Sequence, residues 1–371
     1  MEGTAESGKS RQLEILEFIL KIVALLFVLF LFFYSLDLMG ASFKLLGKGV
    51  AKKLLETTSN PFAGLFIGVL VTSLIQSSST TTSLTVGMVG GGLLPYHLAI
   101  PIIMGANIGT SITNTLVSIG SLKNNVEFKR AFSASIVHDF FNILTVLWIF
   151  PIQYFFNILE EPSVFLAKTF KGIGGATFLS PVKALTKPAA KFTLHLIDNN
   201  GIIGSIIAII VLFIALRYLV KLLKLLIVGK LEAWFRRKLF KTAGRAFVLG
   251  ILLTFLVQSS SITTSFIVPI VGAGILTLEQ VFPFTLGANI GTTITAMLAS
   301  MVLGSVEAMT VAFAHLLFNI MGILGIWKIQ FIPIKMARHF AEVATQKKYI
   351  PFLYILVVFF IIPLSLIIIT E

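Results

Sequence analysis

The sequence contains no cysteine. That excludes a disulfide framework, thiolate metal sites and a cysteine nucleophile together. The five histidines are widely scattered, so compact zinc and haem motifs are missing as well. Charge is the second shortage. Asp, Glu, Lys and Arg make up 12% of the 371 residues, about half the roughly 25% of a soluble domain. What fills the space is 56% hydrophobic, with a mean hydropathy of +0.97. Such a chain reads as an all-α polytopic membrane protein and not as an enzyme of the aqueous phase. The charges present are lopsided, 29 Lys and Arg against 16 Asp and Glu. In a membrane protein that excess bears first on which loops face the cytoplasm; no nucleic-acid role is expected.

A helix needs about 20 apolar residues to cross the hydrocarbon core. Residues 18–39, 126–150, 201–227, 306–327 and 350–370 meet that length. The first begins like a secretory signal, but no small-x-small cleavage site follows it. Two other stretches are wrong for plain spans. Residues 61–94 and 246–277 each carry a dense polar cluster between two apolar halves. That pattern predicts a re-entrant helical hairpin, tolerated at membrane depth only where protein or a watery cavity satisfies its polar backbone. Residues 97–119 and 280–303 are each expected to be an interrupted helix.

The chain contains itself twice. Gln76-Ser77-Ser78-Ser79 recurs as Gln258-Ser259-Ser260-Ser261, and Gly105-Ala106-Asn107-Ile108-Gly109-Thr110 as Gly287-Ala288-Asn289-Ile290-Gly291-Thr292, both at an offset of 182. His138-x-x-x-Asn142 then recurs as His315-x-x-x-Asn319 at 177. If the hairpin crosses nothing, the first unit makes three crossings and the second starts from the opposite face. The fold class expected is therefore two inverted-topology repeats, each with a re-entrant hairpin and an interrupted transmembrane helix. Residues 1–160 form the first repeat, 161–200 an external loop, 201–327 the second repeat with a basic linker at 217–245, and 328–371 an amphipathic segment and a final span. With the N-terminus cytoplasmic and the C-terminus external, 20 of the 29 basic residues fall inside, as the positive-inside rule requires. Trp234, Phe235 and Phe240 among the basic residues of 217–245 suggest a helix on anionic lipid. No chemistry is read in the external loop.

The two polar clusters carry the chemistry. Each has a carboxamide, three hydroxyls and a Thr-rich continuation, Thr80-Thr81-Thr82-Ser83 and Thr263-Thr264-Ser265, without a charge. A helix restarting in mid-membrane points free N–H groups and a positive dipole end at the gap, a ready anion site. Hydroxyl lone pairs and free carbonyls suit Na+. Asn107, Thr110 and Ser111, with Asn289, Thr292 and Thr293, offer further oxygens. Asp139 breaks the repeat, since Leu316 stands in its place, and a carboxylate inside a span is a functional candidate by default. His138 and His315 read as structural hydrogen-bonding residues. Ser and Thr also glue membrane helices, which explains one such residue better than a duplicated QSSS. A carrier for sulfate or another oxyanion, a proton-driven carrier, an intramembrane serine hydrolase and a channel remain alternatives on these residues alone. The hydrolase lacks a base near either tip.

The paired QSSSTTTS and QSSSITTS, the paired GANIGT stretches and FKRAFSASIVHDFFN (128–142) make the chain resemble the type II sodium-dependent phosphate cotransporters over nearly all of residues 15–370. The resemblance implies Na+-coupled uptake of inorganic phosphate in the cell (inner) membrane, with Na+ as coupling ion and no cofactor. Phosphate is assigned to Gln76, Ser77, Ser78, Ser79, Thr80, Gln258, Ser259, Ser260 and Ser261. Na+ is assigned to Thr81, Asn107, Thr110, Ser111, Asp139, Asn142, Thr263, Asn289, Thr292, Thr293 and Asn319. In that family the aspartate matched by Asp139 marks electrogenic members, so net charge movement is expected. The external loop lacks the cysteines of animal members and a single span follows the second repeat, which points to a bacterial member. A homo-oligomer is compatible with the sequence.

Overall fold

The computed structural model describes residues 16–171, 181–227, 238–303 and 305–370, apart from 18, 36, 40, 43–44, 47–52, 54–57 and 59. Among these residues the regular structure is helical and no strand occurs. The chain is an all-α polytopic membrane protein. Among the described residues five helical stretches are long and apolar enough to cross a membrane: Ile19–Met39, Tyr96–Ile119, Asn125–Phe156, Val306–Trp327 and Ile350–Thr370. Trp234 and Phe235, part of the expected lipid-surface segment, lie outside the described residues, as do 1–15 and 172–180.

In chain order the helices are α1 (Ile19–Met39), α2 (Pro61–Ile75), α3 (Ser78–Gly90), α4 (Tyr96–Gly109), α5 (Ile112–Ile119), α6 (Asn125–Phe156), α7 (Glu160–Thr169), α8 (Pro181–Leu196) and α9 (Gly201–Ile227). They continue as α10 (Ala243–Val257), α11 (Ser260–Gly272), α12 (Leu278–Leu303), α13 (Val306–Trp327) and α14 (Phe331–Gln346). The last, α15 (Ile350–Thr370), has a π turn at Val357–Ile361. Adding 182 to the bounds of α2 and α3 reproduces those of α10 and α11.

The duplication reaches atomic packing. A Cβ on Gly68 would sit 2.0 Å from the carbonyl oxygen of Ile102, and one on Gly250 would sit 2.1 Å from that of Phe284. Gly105 meets the Leu65 oxygen at 1.9 Å, and Gly287 the Phe247 oxygen at 2.0 Å. Each pair differs by 182. Only a hydrogen at these positions lets α2 close on α4, and α10 on α12, to backbone contact, the way small residues pack membrane helices. The first tight pair lies inside the protein: 89% of the apolar window of Tyr96–Ile119 is buried, against 22% for Ile350–Thr370. The first helix pair is thus surrounded by protein, and the last span turns Ile368 and Ile369 outward, where lipid replaces water as the apolar solvent.

The copies differ in the helix that carries GANIGT. The first GANIGT stretch breaks into α4 and α5 at Thr110-Ser111, and the Ser111 hydroxyl donates to the Ile108 oxygen at 2.9 Å. The interruption expected at 280–303 does not occur; α12 runs unbroken from Leu278 to Leu303. Thr292 and Thr293 donate to the carbonyls of Ala288 and Ile290, which satisfies their hydroxyls without opening the helix.

Candidate functional site

Two helix breaks build the site. Asn60 caps α2 by accepting from the Ala63 N–H at 2.8 Å, with Pro61 at the first helical position, where its missing N–H costs nothing. The helix runs to Ile75, and Gln76 then turns left-handed at φ 55°, ψ 32°. In the second copy Gln258 does the same at φ 54°, ψ 35°. A glutamine in this region is strained by about 1 kcal/mol, and held strain of this kind gathers at functional sites. The next residue is extended, Ser77 at φ −153° and Ser259 at φ −160°. One left-handed residue followed by one extended residue ends a helix and starts the next within two positions.

Each serine then caps the helix it opens. The Ser77 Oγ accepts from the Thr80 N–H at 3.2 Å and the Thr80 hydroxyl at 2.9 Å. The Ser259 Oγ accepts from the Ile262 N–H at 3.3 Å. Both oxygens accept through a lone pair in these bonds, which leaves their own O–H protons available to donate.

The two breaks share one cavity of about 450 Å³. Gln76, Ser77, Thr80, Ser259, Ser261 and Thr113 line it, and so do Asp37, Lys187 and Lys191. Of the nine residues assigned to phosphate, five therefore meet here. Ser78 and Ser260 are buried in the first turns behind them, and Ser79 and Gln258 do not line the cavity. The Ser261 hydroxyl donates to the Thr110 oxygen at 3.3 Å, a carbonyl at the break between α4 and α5. This bond joins the second tip to the first repeat.

None of the residues assigned to Na+ lines this cavity, and they fall into separate sets. Thr81 and Thr263 donate to the carbonyls of Ser77 and Ser259, and Thr110 to that of Ala106. Their protons are used, and lone pairs remain for a cation. The Asn142 amide donates to the Asn107 oxygen at 2.7 Å, and Asn289 donates to Asn142 Oδ1 at 3.0 Å. His138 Nε2 donates to Asn289 Oδ1 at 2.7 Å. This chain crosses between the repeats. Its counterpart does not: Asn319 donates to the carbonyl of His315 in its own helix, and Asn107 to that of Ile103. Asp139 is fully buried elsewhere on α6, facing Tyr354 of α15.

Sequence reasoning missed four contributors. Asn114, buried on α5, accepts from Thr264 at 3.0 Å and from Ser265 at 2.8 Å; Ala296 occupies its place in the second copy. Asn114 stands four residues beyond the first GANIGT, and its break of the repeat was the available signal. Tyr354 and the two lysines of α8 come from outside the repeats, so no internal match could flag them.

The Na+/Pi-cotransporter family model matches residues 31–161 and 211–344. The chain belongs to the Na+/Pi-cotransporter family. Both QSSS breaks and both GANIGT stretches fall inside the matched residues. The human sodium-dependent phosphate transport protein 2B is 32% identical over 444 aligned positions, covering 93% of this chain and 64% of that protein. The protein 2A of Rattus norvegicus is 32% identical over 425 positions, covering 93% and 67%, and the protein 2B of Bos taurus covers 98% and 67% at 32% identity. The chain thus spans about two thirds of the length of these relatives. No solved structure matches it. Its Na+/Pi-cotransporter relatives are named as transport proteins, not as enzymes.

Proposed function

We propose that the protein is a Na+-coupled symporter of inorganic phosphate, working by alternating access between two inverted repeats. The observation that carries this reading is the convergence of Gln76, Ser77 and Thr80 with Ser259 and Ser261 on one cavity. A tetrahedral oxyanion needs several donors at once, and here they come from two helix N-termini and the hydroxyl protons of two capping serines. Each tip belongs to one repeat, so rocking one repeat against the other would expose the shared site to alternate faces. The names of the relatives support phosphate and Na+ as the ions.

In this reading α2–α3 and α10–α11 are re-entrant hairpins, the N-terminus is cytoplasmic, the C-terminus is external, and the membrane is the cell (inner) membrane. Na+ uses hydroxyl, amide and carbonyl oxygens, with Asp139 as the single carboxylate. Net inward movement of one charge down 100 mV is worth about 2.3 kcal/mol, roughly 50-fold in attainable phosphate accumulation. The basic segment at 217–245 lies against anionic lipid. Radiolabelled phosphate uptake into proteoliposomes tests the proposal. Uptake should follow an imposed Na+ gradient and fall with Na+ replaced by choline; uptake indifferent to Na+ refutes the coupling, and preference for sulfate refutes the substrate.

A further inference from the structure

We infer that α8 supplies the charged half of the anion site: Lys187 and Lys191 draw the oxyanion into the cavity and hold it against the two serine breaks. This rests on the transport reading above and deepens it. The tips themselves carry no charge, and the external segment is silent to motif reasoning, so the two features are unconnected in the sequence. The fold joins them.

The position of α8 follows from its own pattern. Thr186, Ala190 and Leu194, spaced four apart, are buried and anchor one stripe of the helix. The Thr186 hydroxyl donates to Asp37 Oδ2, and Thr193 shares a 2.7 Å hydrogen bond with the Tyr34 hydroxyl. Both partners lie on α1. Lys187 and Lys191 each follow the anchor stripe by one residue, so they project side by side, about 100° around the helix. There they line the cavity with Gln76, Ser77, Ser259 and Ser261. Both lysines are exposed, and no carboxylate lies within ion-pair distance of either among the described residues. Among the described residues Asp37 is the one acid lining the cavity, which leaves an excess of one positive charge among them.

A cavity with low-dielectric walls and one sign of charge raises the local concentration of the opposite ion. Two ammonium groups on flexible stems suit this task, because they follow an anion without fixing its geometry. The serine and backbone N–H groups then supply the directional hydrogen bonds. Recognition is thereby divided, with charge from α8 and shape from the tips.

The test is phosphate uptake by the full chain in proteoliposomes, comparing native protein with the double variants Lys187→Gln/Lys191→Gln and Lys187→Arg/Lys191→Arg. At low ionic strength the Gln pair should raise the KM for phosphate about tenfold with kcat within about twofold, the sign of lost ground-state binding. Raising ionic strength to about 0.5 M should shrink the difference to less than about twofold. The Arg pair should stay within about twofold of native. An unchanged KM in the Gln pair at low salt, or an equal loss in the Arg pair, overturns the inference. A second measurement covers a variant that fails to insert. On the native, detergent-solubilised chain, inorganic phosphate should slow acylation of Lys187 and Lys191 by an amine reagent, while exposed Lys347 reacts unchanged. Equal rates in phosphate and chloride overturn the inference. Native protein that binds phosphate at these lysines yet shows no Na+-dependent uptake defeats the transport reading alone.

Discussion

Tyr354 gives Asp139 the one hydrogen bond its carboxylate receives among the described residues, 2.9 Å from the phenol to Oδ2. Oδ1 is buried without a partner. A carboxylate so placed is incomplete, because burial removes its water and one donor replaces only part of it. In the Na+-coupled reading proposed above, this open oxygen is the one that would meet the cation.

Tyr354→Phe removes that donor and keeps the ring packing against Phe340 and Phe359. Thermal stability in Na+-free buffer should fall by about 1–3 kcal/mol, the usual cost of orphaning a buried polar group. Na+ should then stabilise the variant more than the native protein. Equal stabilisation of both by Na+ would mean that Asp139 does not meet the ion.

Asp139→Gly should keep phosphate uptake and reduce the charge moved per phosphate by one. Simultaneous current and uptake recordings give that ratio directly. A ratio identical to native removes Asp139 from the coupling.

Ser77 can be dissected by separating its two roles. Ser77→Ala loses the cap, worth about 0.5–2 kcal/mol, and the free donor together. Ser77→Asp keeps a cap of equal quality but places a negative charge in the cavity. Expected is near-native melting with phosphate uptake lost for the Asp variant. Retained uptake by a well-folded Ser77→Asp protein would place the anion elsewhere.

The backbone contact at Gly68 predicts a severe effect from one methyl group. In Gly68→Ala a Cβ 2.0 Å from the Ile102 oxygen must push α2 from α4, at a cost of about 3 kcal/mol or more. Gly250→Ala should behave alike. Gly87→Ala is the control, since nothing lies within 4 Å of its Cβ; it should match or exceed native stability in a detergent melt, because alanine is the better helix former by about 1 kcal/mol.

The crossing chain from His138 to Asn289 has an unmade twin. Exchange of the repeats would make a His315–Asn107 bond and break His138–Asn289. Asn289→Ala removes a bond of the present state, and Asn107→Ala removes one of the alternate state, so the two should shift the population oppositely. The absence of cysteine makes Thr80→Cys a clean reporter from the cavity wall. Its maleimide labelling should slow in Asn289→Ala and quicken in Asn107→Ala. Shifts in the same direction would rule out the exchange.

Much of this protein was legible in one dimension. The scarcity of charge and the length of the apolar runs dictate a helical membrane fold, because lipid offers no hydrogen bonds to an open backbone. The duplicated QSSS and GANIGT stretches locate both helix breaks, because repeated local sequence repeats its local geometry down to the φ of Gln76 and Gln258. That the second GANIGT stretch stays unbroken was not legible: the motifs read alike, and only their surroundings decide whether a helix opens.

Tertiary structure alone decided which groups meet. It brought the two breaks to one cavity, tied Ser261 to Thr110 and Asn114 to Thr264, and gave Asp139 its tyrosine from 215 residues away. It also set Lys187 and Lys191 beside serines that carry no charge. Periodicity and repetition report on neighbours along a helix, whereas a site between helices depends on crossing angles and close approaches set by packing. The scarce charge that first marked the chain as a membrane protein therefore says how much charge there is, and packing says where it acts.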